Sequence, residues 1–161
     1  MQLEERRKQG LPFEKYMVSR FKQTSTLLHW TSDKIIDDVM APDITDPDLL
    51  FRDKATGQLF AVECKWHYSK IDELSVILAS YRKQLDRYRS YQMENQIPVF
   101  IAVGIGQSGS DIDKLFVVPL HQIPEGAYTM TLKELEPYAL DVTKENSLQV
   151  ETRVNTKNTG I

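Results

Sequence analysis

Residues 48–66 contain two extended runs separated by a turn. Asp48-Leu49-Leu50-Phe51-Arg52 is followed by Asp53-Lys54-Ala55-Thr56-Gly57-Gln58, then by Leu59-Phe60-Ala61-Val62-Glu63-Cys64-Lys65-Trp66. Apolar runs of this length on either side of turn residues read as an antiparallel hairpin. Side chains alternate along a strand, so Glu63 and Lys65 share one face while Val62 and Cys64 point to the other, toward core. Apolar Phe60 to Val62 marks the second strand as central. Charges on a central strand need a reason to be there, because burying an uncompensated charge is costly. The bland alternative is a solvated strand face with an ion pair that contributes roughly 0–1 kcal/mol.

The elements around the hairpin follow from periodicity. Phe13, Tyr16, Met17 and Phe21 fall at helical spacing, and Pro12 suits a first turn, so a helix is expected over 12–23. Thr24 to Thr31 fits a strand, and Asp33 to Met40 a short helical turn. Ile71, Leu74, Leu78, Tyr81, Leu85 and Tyr88 alternate steps of three and four, which predicts a long helix over 71–94. The apolar runs 98–103 and 115–120 read as buried strands, 131–138 as a short capped helix, and the polar tail from about 144 as a weak strand or a frayed end. The order helix, strand, hairpin, helix, strand, strand implies one α/β domain over 1–161, a three-layer core with a mixed sheet flanked by helices.

A chain of 161 residues, 41% hydrophobic and 27% charged, is long enough to bury a core without staples. The single cysteine, Cys64, excludes an internal disulfide, and no Cys/His cluster has zinc spacing. Charged residues from Glu4 to Lys8 and the lack of a long apolar run give the expectation of a cytoplasmic protein with no membrane span. A net charge of −3 excludes the basic footprint of a dedicated non-specific nucleic-acid binder. Positive charge is local, in Arg82, Lys83, Arg87 and Arg89. Such a run is also compatible with a solvated helix face.

The hairpin brings Asp48 toward Glu63 across the pair, so two carboxylates converge beside one lysine. Hard cations such as Mg²⁺ or Mn²⁺ take oxygen ligands, commonly one or two carboxylates plus waters and phosphate oxygens. Asp48 and Glu63 supply carboxylates, and the backbone carbonyl of Cys64 a further oxygen. Lys65 suits the charge of a phosphoryl transition state. The chemistry this points to is phosphodiester hydrolysis.

Pro47-Asp48, fourteen intervening residues, then Glu63-Cys64-Lys65 resembles the PD-(D/E)XK nuclease superfamily, with its restriction-endonuclease-like fold. The flanking helices and Gln84-Leu85-Asp86-Arg87-Tyr88, similar to the QxxxY motif of the RecB-like branch, extend the resemblance. It implies a Mg²⁺-dependent enzyme acting on nucleic acid, with DNA the expected substrate. It also implies that Glu14 assists the metal site, that Gln84 orients the lysine or substrate, and that Tyr88 supports them. Lys83, Arg87 and Tyr88 are the expected nucleic-acid contacts, and a second copy or another protein the expected partner. The rival class is a nuclease-fold domain that no longer cuts and binds nucleic acid or protein instead.

Other features weigh less. Asp48 after Pro47 also suits a turn, and Glu14 a helix's first turn. His67 sits two residues past Lys65, but isolated histidines without ligand spacing carry no site. Gly104-Ile105-Gly106-Gln107-Ser108-Gly109 fits GxGxxG, yet too few residues separate it from the next strand for a dinucleotide-binding helix, so a flexible connection is expected.

Overall fold

The computed structural model describes residues 3–31, 35–36, 39–40, 46–69, 75–79 and 82–143. Its elements in chain order are α1 (Leu3–Phe21), β1 (Ser25–Trp30), β2 (Ile35–Ile36), β3 (Val39–Met40), β4 (Leu49–Asp53), β5 (Leu59–Tyr68), β6 (Ser75–Ile77), α2 (Arg82–Asn95), β7 (Val99–Ser108), β8 (Asp111–Pro119), β9 (Thr129–Thr131), α3 (Leu132–Leu135) and β10 (Ala139–Leu140).

Six strands form the central sheet in the order β1-β4-β5-β7-β8-β10. Only β5 and β7 pair in parallel, joined by a crossover through α2; the rest is antiparallel. The mixed sheet is thus as expected. Alternation sorts the core into two layers. Val62, Phe100, Ala102 and Val117 pack on one face with Phe13, Met17 and Phe21 of α1. Ala61, Ile101, Val103, Phe116 and Val118 pack on the other with Leu85 and Tyr88 of α2. Phe51 and Phe60 stack at 5.3 Å, and Phe21 meets them at 5.0 and 5.4 Å, which fastens α1 to the hairpin.

Several boundaries differ from the sequence reading. The first helix starts at Leu3 and carries Pro12 inside it rather than at its start. Where 33–40 suggested a helical turn, Ile35–Ile36 and Val39–Met40 pair as a small ladder, in keeping with the stiffness of β-branched residues. The expected helix over 71–94 begins only at Arg82, and residues 71–74 lie outside the described part. Ser75–Ile77 is a strand paired with Thr129–Thr131, so a partner distant in sequence overrides a local helical pattern. The tail from 144 also lies outside the described residues. The short helix over 132–135 is capped as expected: Thr131 Oγ1 accepts from Glu134 N–H, and Glu134 Oε1 accepts from Thr131 N–H.

Most of the glycine-rich stretch belongs to β7, which runs on to Ser108 with shifts in register after Ile105 and Gly106. A Cβ on Gly104 would run into the Phe13 ring, and one on Gly106 into the Asp111 backbone. These glycines therefore permit close packing of α1 on β7 and of β8 on β7. We expect Gly106→Ala to be destabilising and Phe60→Ala to cost about 3–5 kcal/mol, as for other buried phenylalanines. Urea unfolding followed by circular dichroism checks both.

Candidate active site

The β4–β5 ladder ends at the pair Leu49 and Val62, and the two carboxylates meet one step beyond it. In extended backbone the N–H and C=O of one residue point to the same side. Ala61 donates its N–H to Pro98 O on the β7 side, so Val62 and Cys64 direct theirs toward β4. With β4 ended, Cys64 N–H donates to Asp48 Oδ2 at 2.9 Å. Asp48 N–H in turn donates to Glu63 Oε1 at 3.1 Å, and its carbonyl accepts from Thr31 N–H at 2.8 Å. The end of β1, the start of β4 and the middle of β5 thus hold two carboxylates, Asp48 and Glu63, that are 8% and 2% exposed, respectively.

Four side chains close a ring on the α2 face of the sheet. Lys65 Nζ pairs with Glu63 Oε2 at 3.4 Å and donates to Gln84 Oε1 at 3.0 Å. Gln84 Nε2 donates to the Tyr88 hydroxyl at 3.1 Å, and that hydroxyl hydrogen-bonds Glu63. Gln84 and Tyr88 are one turn apart on α2, so the helix presents both to β5. Burial pushes the Tyr88 phenol well above its ordinary value, and the charges of Glu63 and Asp48 push it further the same way. Its neutral form is what the ring needs.

The donor set fits a hard cation. Among the described residues no three side chains of His, Cys, Asp or Glu gather into a metal cluster, so the set is two carboxylates. Mg²⁺ is commonly held by one or two carboxylates, with waters and phosphate oxygens completing the shell. Each carboxylate oxygen accepts at two lone pairs, so the hydrogen bonds above leave capacity for a metal bond. The Cys64 carbonyl points to the Asp48 side of β5, as its N–H does, while the half-buried thiol packs against the α1 layer.

The remaining candidates separate by position. Glu14 Oε1 accepts from Trp30 Nε1 at 3.3 Å, and Trp30 lies opposite Leu49, so Glu14 is tied to the same sheet end through Trp30. Trp30 and Thr31 went unnoticed in the sequence, because their link to Glu14 and Asp48 depends on β1 pairing with β4. Lys83 is exposed on α2 and Arg87 half-buried one turn on. Tyr88, expected to contact nucleic acid, is 2% exposed and faces the ring instead, because its phenol completes the core beneath α2. Arg89 pairs with Asp86 at 2.9 Å and donates to Ile123 O, bracing α2 rather than forming a basic track.

No family model and no curated protein matches the chain. Among solved structures it is similar to Archaeoglobus fulgidus Hjc, a Holliday junction resolvase from an archaeal hyperthermophile. The two superpose with a TM-score of 0.55 at 12% identity, over 83% of this chain and 94% of that one. The likeness shows the fold, a mixed six-stranded sheet flanked by helices that is restriction-endonuclease-like. Among the described residues no helix is long and apolar enough to cross a membrane.

The raised Tyr88 value has a consequence for stability. An unfolded tyrosine titrates near 10, whereas folded Tyr88 holds its proton to higher pH, so stability falls as pH rises above about 10. Tyr88→Phe is expected to flatten that alkaline loss relative to the parent chain, and to cost about 1 kcal/mol at neutral pH from the lost hydrogen bonds. Denaturant midpoints measured across the pH range check both.

Proposed function

We propose that this chain is a metal-dependent nuclease that hydrolyses phosphodiester bonds, with DNA as its substrate. The observation that carries the reading is the meeting of Asp48, Glu63 and Lys65 at one strand end, with Gln84 fixing the lysine. The restriction-endonuclease-like fold supports it.

Asp48, Glu63 and the Cys64 carbonyl would hold the cation. When bound, Mg²⁺ or Mn²⁺ supplies polarisation of the phosphate and a lowered pKa for a coordinated water. Lys65 orients the attacking water and offsets the charge that develops on the phosphate oxygens. Gln84 Oε1 accepts a hydrogen bond from one ammonium N–H of Lys65 and so sets the direction of the other two. Tyr88 holds Gln84 in that orientation through its neutral hydroxyl. Glu14 acts at the edge of the site through Trp30. Lys83 and Arg87, on the outer side of α2, contact the phosphate backbone. With a net charge of −3, the chain gains its remaining duplex contacts from a second copy or a protein partner.

Purified protein is expected to cut labelled DNA with Mg²⁺ or Mn²⁺ and not with EDTA. Asp48→Ala and Lys65→Ala should each lower the rate by about a hundredfold or more. Gln84→Ala is expected to lower the rate less and leave the metal affinity intact, because it touches the lysine and not the cation. Absence of cleavage with either metal, together with no metal binding that depends on Asp48, would sink the enzyme reading in favour of a binding domain.

A further inference from the structure

On the face of β5 that carries Glu63 and Lys65, the next side chain is His67, and there the sheet borders a cavity of about 150 Å³. His67, Val76, Ile105, Asp113, Lys114 and Leu132 line it. Its floor is one cross-sheet row, His67, Ile105 and Lys114, directly after the row of Lys65, Val103 and Phe116. Two residues along a strand span roughly 6.6 Å, so the cavity starts one step past the catalytic lysine.

The strand is locally rebuilt here. Ile105 pairs with Lys114 but Gly106 pairs with Ile112, which leaves Asp113 as an extra residue in β8. Consecutive side chains of a regular strand point to opposite faces, whereas a bulge re-aims one of them. Asp113 and Lys114 both line the cavity as a result. Gly106 allows it, since a side chain there would meet the Asp111 backbone.

Size and lining select the occupant. The cavity is well below the roughly 300–1,000 Å³ of a site for drug-sized ligands, and about the size of one that accepts benzene. It has room for a single ring. Val76, Ile105 and Leu132 offer apolar walls, while His67, Asp113 and Lys114 offer both donors and acceptors. A phosphate would gain nothing from the apolar walls, and the attraction of Lys114 for it is offset by Asp113 beside it. An unstacked base has a face for the walls and a hydrogen-bonding edge for the polar groups.

We propose that this cavity takes one unpaired base of pyrimidine size, from the nucleotide beside the bond held at Asp48, Glu63 and Lys65. The inference rests on the nuclease reading for the position of that bond. The substrate is then a nucleic acid with an unstacked nucleotide next to the cut.

The test is fluorescence anisotropy of a labelled single strand binding the whole chain in Ca²⁺, with each base in turn replaced by an abasic site. One position is expected to weaken binding about tenfold, the loss of a single stacked base. Leu132→Trp, at a site 36% exposed and so able to accept the larger ring, fills the cavity and is expected to abolish that penalty. His67→Ala should reduce it, with circular dichroism confirming that each variant is folded. A flat scan, absence of binding, or a penalty unchanged in both folded variants overturns the proposal. Cleavage in Mg²⁺ with a flat scan removes the base cavity and leaves the nuclease. A scan with one sensitive position and no cleavage supports the cavity and removes the nuclease.

Discussion

Two carboxylates buried at the end of a β ladder set the terms for this molecule. Asp48 and Glu63 are almost fully covered, and an uncompensated charge in such a place would cost far more than one side chain contributes by packing. Compensation comes from two backbone donors and one side chain: the Cys64 N–H to Asp48, the Asp48 N–H to Glu63, and the Lys65 ammonium beside Glu63. The Cys64 N–H is available because the β4–β5 ladder ends at Leu49 and Val62, which turns this strand-edge donor of β5 toward a side chain instead of a neighbouring strand. The end of the ladder is therefore where buried charge is tolerated.

From that point the architecture follows outward. The parallel pairing of β5 with β7 requires a crossover, and the crossover helix α2 lies on the face that carries Glu63 and Lys65. Gln84 and Tyr88, one turn apart, close the ring from above, and Arg89 anchors the helix to the segment after β8. On the opposite face α1 is held by an aromatic cluster and by Gly104, whose missing side chain admits the Phe13 ring. A rigid layer on each side keeps the polar ring in one arrangement, as a partly satisfied polar network would not be.

The same face continues past Lys65 into the cavity at His67. Glycine at 106 and the bulge at Asp113 are local departures from regular sheet, and both sit beside the site rather than in the aromatic core. Bulges are common next to active sites because they redirect one side chain without disturbing the strands around it. The glycine pattern that resembles a nucleotide fingerprint in the sequence thus has a packing cause here.

Alternation along 59–66 was enough to put Glu63 and Lys65 on one face and Val62 and Cys64 on the other, and the turn at 53–58 was enough to pair Asp48 with them. These are local rules with a period of two, and they survive any tertiary context that keeps the hairpin. Steps of three and four placed Gln84 and Tyr88 on one helix face for the same reason. The start of that helix was not legible: the helical spacing runs through Leu74 and Leu78, but Ser75–Ile77 between them pairs with Thr129–Thr131, more than fifty residues away. Nor were the roles of Trp30 and Thr31, or the bulge at Asp113. Each depends on which strand lies beside which, and strand neighbours are chosen by the global burial of apolar surface rather than by any local pattern. The sequence by itself determined which charged and polar groups share a strand face or a helix face; the tertiary structure decided which of them meet, because only the assembled sheet brings distant backbone donors to buried charge.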